Sequence, residues 1–560
     1  MEPRYYGVGD KRAMKIGKIH IKRSYILLGS IFFVVIFFAC SPLMTKHCIN
    51  GHDVDYHLLR IESLKEGILA GKPFLKVNML FLGGAGYASS LFYPDLLLYF
   101  PGVLRALGVS INQSYHLFVA LCIILCYAST YICTKMVTKK RFSSMIGAII
   151  MTLSQYHIDD IYTRSAVGEF TAFIFLPFLL YGIYDLLYEE LSKPGIMAMG
   201  FAGVLLSHTN TFIMCILLYG FIVLFHYKIF YKNKKLFLKL LLTGLITLAL
   251  TCFYWLPVLE QLKDSTFGLS NSWVSVKDTM REISSIFENQ MPGMGIAIFL
   301  LCIPRLFTIK TKKNKKLLVY GDILLFSGIA FSLGATVLFP WERLERFVNF
   351  IQFPWRFYLL ASACLSMGIA ILYEIYFQNR KSREAALIAV LGIMIFSSVT
   401  NIQRTEEGYY SYSDDYYSYK PFTASVIGGE WLPEQVDSLE KVLEYSDKIV
   451  GDSGEEISFY RKKNEIHVSC KNMESSYMDV PFIYYKGYRA VSYDNEGEKI
   501  EDLKVSGEGR HGFCRVYFTG KEEGKVVIAY KGTWAQKISY FISAGAMGAV
   551  FMLSRKRRIF

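Results

Sequence analysis

Charge is what this sequence has least of. Asp, Glu, Lys and Arg make up 19% of its 560 residues, against about 25% in an ordinary soluble protein. Cysteines at CxxC spacing are missing, which argues against a zinc ribbon or a thioredoxin-type site. Internal repeats and low-complexity tracts are missing as well. So are Lys/Arg clusters on a soluble face, which removes the footing for nucleic-acid binding. In place of charge, 53% of the residues are hydrophobic and 16% aromatic, and the mean hydropathy is +0.30. A single soluble domain rarely exceeds roughly 250–300 residues, and a longer soluble chain carries more polar surface than this. The composition excludes a soluble enzyme, a disordered chain and a disulfide-knotted secreted module. It predicts an α-helical polytopic membrane protein.

The few charges are unevenly placed. Residues 401–536 hold 24 acids and 17 bases, while the rest of the chain holds 23 acids and 44 bases. Retained loops of membrane proteins collect Lys and Arg. The acidic block therefore reads as an extracytoplasmic domain. Its short alternating runs, at 465–471, 477–485, 512–519 and 525–531, predict a β-sandwich-like fold carrying fifteen tyrosines. Cys470 and Cys514 both fall in it, and position alone leaves a disulfide between them open. The other cysteines lie mostly in apolar runs and read as small buried hydrophobes.

A spanning helix needs about 20 apolar residues, fewer where the bilayer thins. About twelve candidates result: 25–40, 115–137, 142–156, 169–187, 194–207, 211–225, 236–256, 293–309, 317–339, 355–376, 385–399 and 538–553. The first follows a basic N-terminus and lacks a small-x-small cleavage site, so it reads as a helix rather than a signal peptide. The basic clusters at 139–141, 228–235, 310–316, 380–383 and 555–558 then share one side with the N-terminus. This places both termini in the cytoplasm of a cell membrane protein. It requires that 90–107, which contains Pro94, Asp95, Pro101 and Arg105, not cross fully. Three regions follow: a transmembrane domain at 1–400 with an outer loop at 41–114, the β-rich domain at 401–536, and a last helix with a basic tail at 537–560.

Polar residues with chemical potential collect on the outer face. The first outer loop reads Gly51-His52-Asp53-Val54-Asp55-Tyr56-His57. Leu58, Leu59, Ile61, Leu64 and Ile68 follow at helical spacing, among Arg60, Glu62 and Lys65, as in an amphipathic helix lying on a membrane surface. The loop has three readings. Asp53 and Asp55 suit the positive start of that helix as caps. Alternatively the neighbouring His47, Cys48, His52 and His57 offer metal-ligand types, at no standard zinc spacing. Above a bilayer the two acids also suit general-base chemistry on a lipid-phosphate-linked sugar, whose leaving phosphate needs positive charge nearby. A second loop, from Tyr156 to Phe170, carries His157, Asp159, Asp160, Arg164 and Glu169. It reads as a solvated turn, except that Glu169 opens an apolar run, where ionisable groups are costly and tend to be functional. His208 sits in a turn between two short helices. Arg356, at the outer end of a span, suits clamping a phosphate.

The order of these motifs resembles a bacterial membrane family. The matching stretches are Gly51 to His57, Phe92-Tyr93-Pro94, Tyr162 to Phe170, Phe253-Tyr254-Trp255-Leu256-Pro257 and Phe353-Pro354-Trp355-Arg356-Phe357. The family is labelled 6-pyruvoyl-tetrahydropterin synthase-related, although nothing here looks like the small soluble zinc enzyme of that name. Pro481 to Tyr488 resembles a late segment of the YfhO-like membrane proteins. Both groups are similar to GT-C glycosyltransferases. That resemblance implies an inverting transferase using a polyprenyl-phosphate-linked donor and a cell-envelope polymer or lipid acceptor, among membrane lipids and without nucleic acid. It implies Asp53 as base, Asp55 and Glu169 as further catalytic acids, and His52, His57, His157, Asp159, Asp160, Arg164, His208 and Arg356 around the substrate. Some members use a divalent cation, Mg or Mn, which Asp53 and Asp55 would hold here. The rivals are a flippase for a lipid-linked glycan and a non-enzymatic wall-binding scaffold. Asp185 and Asp322 lie near the cytoplasmic ends of their spans, so the bilayer interior offers a flippase few polar groups.

Overall fold

The computed structural model describes residues 13–16, 19–268, 274–405, 408–410, 426, 429–470, 475–522 and 524–555. Lys11, Arg12, Lys18, residues 556–558 and the tyrosines at 412–419 counted above lie outside the described residues.

Every predicted span contains an apolar helix, but the lengths differ. Five helices are long and apolar enough to cross a membrane: Ile111–Thr138, Lys315–Gly334, Pro354–Tyr376, Arg380–Ile402 and Trp534–Arg555. A sixth candidate is the pair Lys234–Leu250 and Cys252–Asp264, bent by 76°. The bend falls at Thr251, whose hydroxyl bonds back to the Thr247 carbonyl at 2.8 Å, a habit that bends helices. The six remaining segments form helices of 10–17 residues. Several are too short to cross a hydrocarbon core of about 30 Å at 1.5 Å per residue. The predicted run 169–187 illustrates why. It divides into Val167–Ala172 and Leu176–Tyr188, and Pro177 stands in the first turn of the second helix, where its missing N–H costs nothing. The stretch 90–107 contains the short apolar helix Leu96–Ala106.

The Phe357–Tyr376 helix is almost wholly buried at the centre of the bundle. It packs on Lys315–Gly334 and Arg141–Thr152. Gly328 faces Leu365 and Gly368 faces Leu325, so a small residue on each helix receives a large one from the other.

One expectation fails: Arg60 and Glu62 do not form an open polar face on the Val54–Leu69 helix. Arg60 and Glu62, read as its polar face, are as buried as Leu58 and Leu64. Arg60 is ion-paired to Asp95, and Glu62 to Arg105. Pairing is what lets charged side chains go inside, and it lets protein cover this helix on several sides.

The C-terminal domain is two five-stranded antiparallel sheets. One runs in the order Lys499–Leu503, Tyr488–Tyr493, Lys525–Tyr530, Glu465–Ser469, Phe459–Lys462. The other runs Val505–Ser506, Phe513–Tyr517, Tyr477–Ile483, Ile449–Gly451, Glu456–Ile457. Ile466, Val468 and Cys470 are buried as their alternation predicts. Cys470 and Cys514 are free thiols and belong to different sheets. The domain sits on the outer crown. The Ile483 N–H donates to the Ala85 carbonyl at 2.9 Å, and Gln261 exchanges two hydrogen bonds with the Lys486 backbone. The Arg380–Thr405 helix continues past residue 400, where a boundary was expected, and its buried Asn401 bonds to Asp159.

Candidate active site

The two outer loops meet through backbone. The N–H groups of His52 and Asp53 donate to the carbonyls of Thr163 and Arg164 at 3.2 and 2.9 Å. Two glycines make the approach possible. A Cβ on Gly51 would lie 1.9 Å from Ser165 Oγ, and one on Gly168 would lie 2.1 Å from Tyr93 Oη.

Asp53 occupies the cap position of the Val54–Leu69 helix, but its side chain makes no capping hydrogen bond. The capping reading therefore fails for the carboxylate. It stays exposed to solvent while protein crowds it closely. That crowding pushes its carboxyl above the usual range. The Arg164 guanidinium opposes the shift, and the Glu169 carboxylate adds to it. Arg356 also lies within electrostatic reach.

Behind Asp53 lies a buried network. Arg164 Nη1 donates to Asp160 Oδ1 at 2.7 Å, and Nη2 to Glu169 Oε1 at 2.8 Å. Arg356 Nε donates to the same Glu169 oxygen at 3.2 Å. The other Glu169 oxygen accepts from Tyr156 Oη at 2.8 Å. Both Glu169 oxygens are thus occupied and the residue is 2% exposed. The geometry makes Glu169, expected as a further catalytic acid, the holder of two arginines. Arg356 is further fixed by the Ile351 carbonyl at 2.7 Å. Its Nη2 makes no hydrogen bond among the described residues. Burial and the neighbouring Glu169 push the Asp160 carboxyl well above its usual range despite Arg164. His208 bonds to Thr211 at 2.8 Å, and burial draws its imidazole down to about 3, leaving it neutral beside Glu169.

The structure therefore brings together Asp53, Asp160, Arg164, Glu169, His208 and Arg356. Other predicted residues go elsewhere. His157 is fully buried against the Phe173 ring at 4.6 Å, its Nδ1 on the Thr152 carbonyl. Asp159 is buried between Gln155 and Asn401, tying the loop to the Arg380–Thr405 helix. His57 packs on Arg60 and Tyr93. His52 is exposed and Asp55 half-buried.

Tyr156 was missed, although the sequence held its signal. Tyr156 and Asp160 are spaced i, i+4, which stacks them on one face of the Gln155–Tyr162 helix, and Arg164 reaches both from the turn just past its end. Tyr93 was quoted within a motif but given no role. Here its carbonyl and that of Pro94 accept from Arg60, whose guanidinium lies 4.4 Å from the Tyr93 ring centre.

Asp53 and Asp55, the acids that would hold a divalent cation, stand at the start of the Val54–Leu69 helix. No three His, Cys, Asp or Glu side chains converge on a metal position among the described residues.

Fold and site together define an α-helical membrane protein with a C-terminal two-sheet domain and a cluster of acids and arginines where two loops meet. The family described as "6-pyruvoyl-tetrahydropterin synthase related domain; membrane protein" matches residues 91–404, and the chain belongs to it. A Lactococcus lactis subsp. cremoris protein, described as uncharacterised, is 23% identical over 91% of this chain and 93% of its own length. Among solved structures, a mycobacterial arabinofuranosyltransferase, AftD, aligns with 94% of this chain at 11% identity and TM-score 0.48. The arabinosyltransferase EmbB of Mycobacterium smegmatis aligns with 93% at 9% identity and TM-score 0.36. The Archaeoglobus fulgidus oligosaccharyltransferase aligns with 74% at 15% identity and TM-score 0.36. This chain spans 42%, 64% and 56% of those three proteins. Likenesses this loose leave the chemistry to the chain's own residues.

Proposed function

We propose that this chain is an integral-membrane inverting glycosyltransferase. It would move a sugar from a polyprenyl-phosphate-linked donor to a cell-envelope acceptor on the outer face, with both termini in the cytoplasm. The observation that carries this reading is the Asp53 carboxylate. It is open to solvent, unused by the helix it caps, tethered by its backbone to Arg164, and close to two arginines.

An acceptor hydroxyl gives its proton to Asp53 as its oxygen bonds to C1 of the donor sugar. The C1–O bond to phosphate breaks, and its electron pair leaves with the phosphate. Attack opposite the leaving group inverts the anomeric centre. A carboxylate whose proton affinity is raised is a better base near neutral pH, and such help is worth about 10²–10⁴-fold. Arg356 Nη2 and Arg164 supply the positive charge that the departing phosphate needs. Glu169 keeps both guanidiniums in place, and neutral His208 adds no competing charge.

The test is purified full-length protein in liposomes with a polyprenyl-phosphate sugar, an envelope glycan acceptor and no ion gradient. Release of free polyprenyl phosphate together with a lengthened acceptor is expected. Donor that crosses the bilayer without being consumed would replace this reading with a flippase. Glycan binding with neither outcome would replace it with a scaffold.

A further inference from the structure

Beside Asp53 stands an aromatic wall that the reaction above leaves unused. Tyr56 lies just beyond Asp53, in the first turn of its helix. Tyr93 lies within electrostatic reach of Asp53. Trp431 closes the group, 5.8 Å from the Tyr56 ring and 5.7 Å from the Tyr93 ring. All three are half-buried, so part of each meets solvent.

The wall is held in place from behind. The Trp431 N–H donates to Tyr87 Oη at 3.3 Å, and its carbonyl accepts from Tyr485 Oη at 2.9 Å. Arg60 fixes Tyr93 through the Tyr93 and Pro94 carbonyls. Two polar atoms in the wall have no protein partner among the described residues. One is the Trp431 indole N–H and the other is the buried Tyr56 hydroxyl. An ordinary core contact would bury the rings fully, whereas these three keep part of their surface open. Sugars present C–H edges, which suit the negative faces of aromatic rings, and hydroxyls, which suit polar handles on Trp and Tyr.

We infer that Trp431, Tyr56 and Tyr93 form a subsite that stacks a sugar ring of the acceptor glycan beside Asp53. This rests on the transferase reading. The acceptor is chosen over the donor because Trp431 belongs to the stretch entering the β-sandwich domain. The donor's phosphate belongs instead with Arg356, where the central span begins.

The test uses full-length protein in detergent and a panel of short arabinan, galactan, mannan and rhamnan oligosaccharides. Calorimetry on Trp431→Ala should show the best-bound oligosaccharide weakened about tenfold, and on Trp431→Phe about threefold. A second measurement needs no variant. Bromosuccinimide oxidation followed by peptide mass spectrometry should show Trp431 protected by that oligosaccharide, and the exposed Trp534 not protected. Undiminished affinity in Trp431→Ala, an unprotected Trp431, or no binding to any member of the panel would overturn the inference. Binding and protection in a protein that transfers no sugar would remove the transferase reading and leave a sugar-stacking wall.

Discussion

The N–H of Asp53 donates to the carbonyl of Arg164 at 2.9 Å. That bond fixes an open carboxylate of one outer loop against the guanidinium-bearing turn of another. Neither loop alone sets an open acid beside a guanidinium. Their junction does, Arg356 joins it from a third stretch of chain through Glu169, and the approach depends on the missing Cβ of Gly51.

Gly51→Ala should therefore disturb the junction without disturbing membrane insertion. The new methyl would meet Ser165 Oγ at 1.9 Å and its Cβ at 2.6 Å. Sugar transfer is expected to fall at least about tenfold, since a small misplacement of reacting groups is costly. Ser165→Gly in the same chain removes both atoms and should restore part of the rate. A Gly51→Ala enzyme of full activity would show that the loop contact does not position Asp53.

Glu169→Gln should cost stability as well as activity. It strips a buried carboxylate from two guanidiniums and a tyrosine hydroxyl. Breaking such a buried pair typically costs about 3–5 kcal/mol, read as a large drop in melting temperature in detergent. Asp159→Asn tests the loop's tie to Asn401. It should lower stability but leave the pH dependence of transfer where it was.

The pH profile should carry the mark of Asp53. Crowding raises its folded-state pKa, so the base form is lost as pH falls through a value above the ordinary carboxylate figure of about 3.9. The acid limb of kcat/KM is expected above that figure. A limb at or below it would mean that the titrating base is not in this environment.

Much of this was legible in the sequence. Scarce charge and long apolar runs marked the bundle, and Ile466, Val468 and Cys470 alternate as a strand should. The two acidic loops announced themselves by polar residues at membrane depth. The sequence could not show that Arg60 and Glu62 go inside, because their partners Asp95 and Arg105 lie on another element. Nor could it rank the acids of the second loop, because helix phase sets only Tyr156 and Asp160 on one face, and Arg164 joins them from the turn past the helix end. Asp53 was read equally well as a cap, and only the free carboxylate decides between the two roles.

Asp53→Asn tests the central claim most directly. The substitution keeps the shape and the backbone bond to Arg164, so the protein should insert, melt near the wild-type temperature and still bind glycan. Its rate of sugar transfer from a polyprenyl-phosphate donor is expected to drop about 10²–10⁴-fold. A variant that transfers sugar at the wild-type rate would show that Asp53 is not the base.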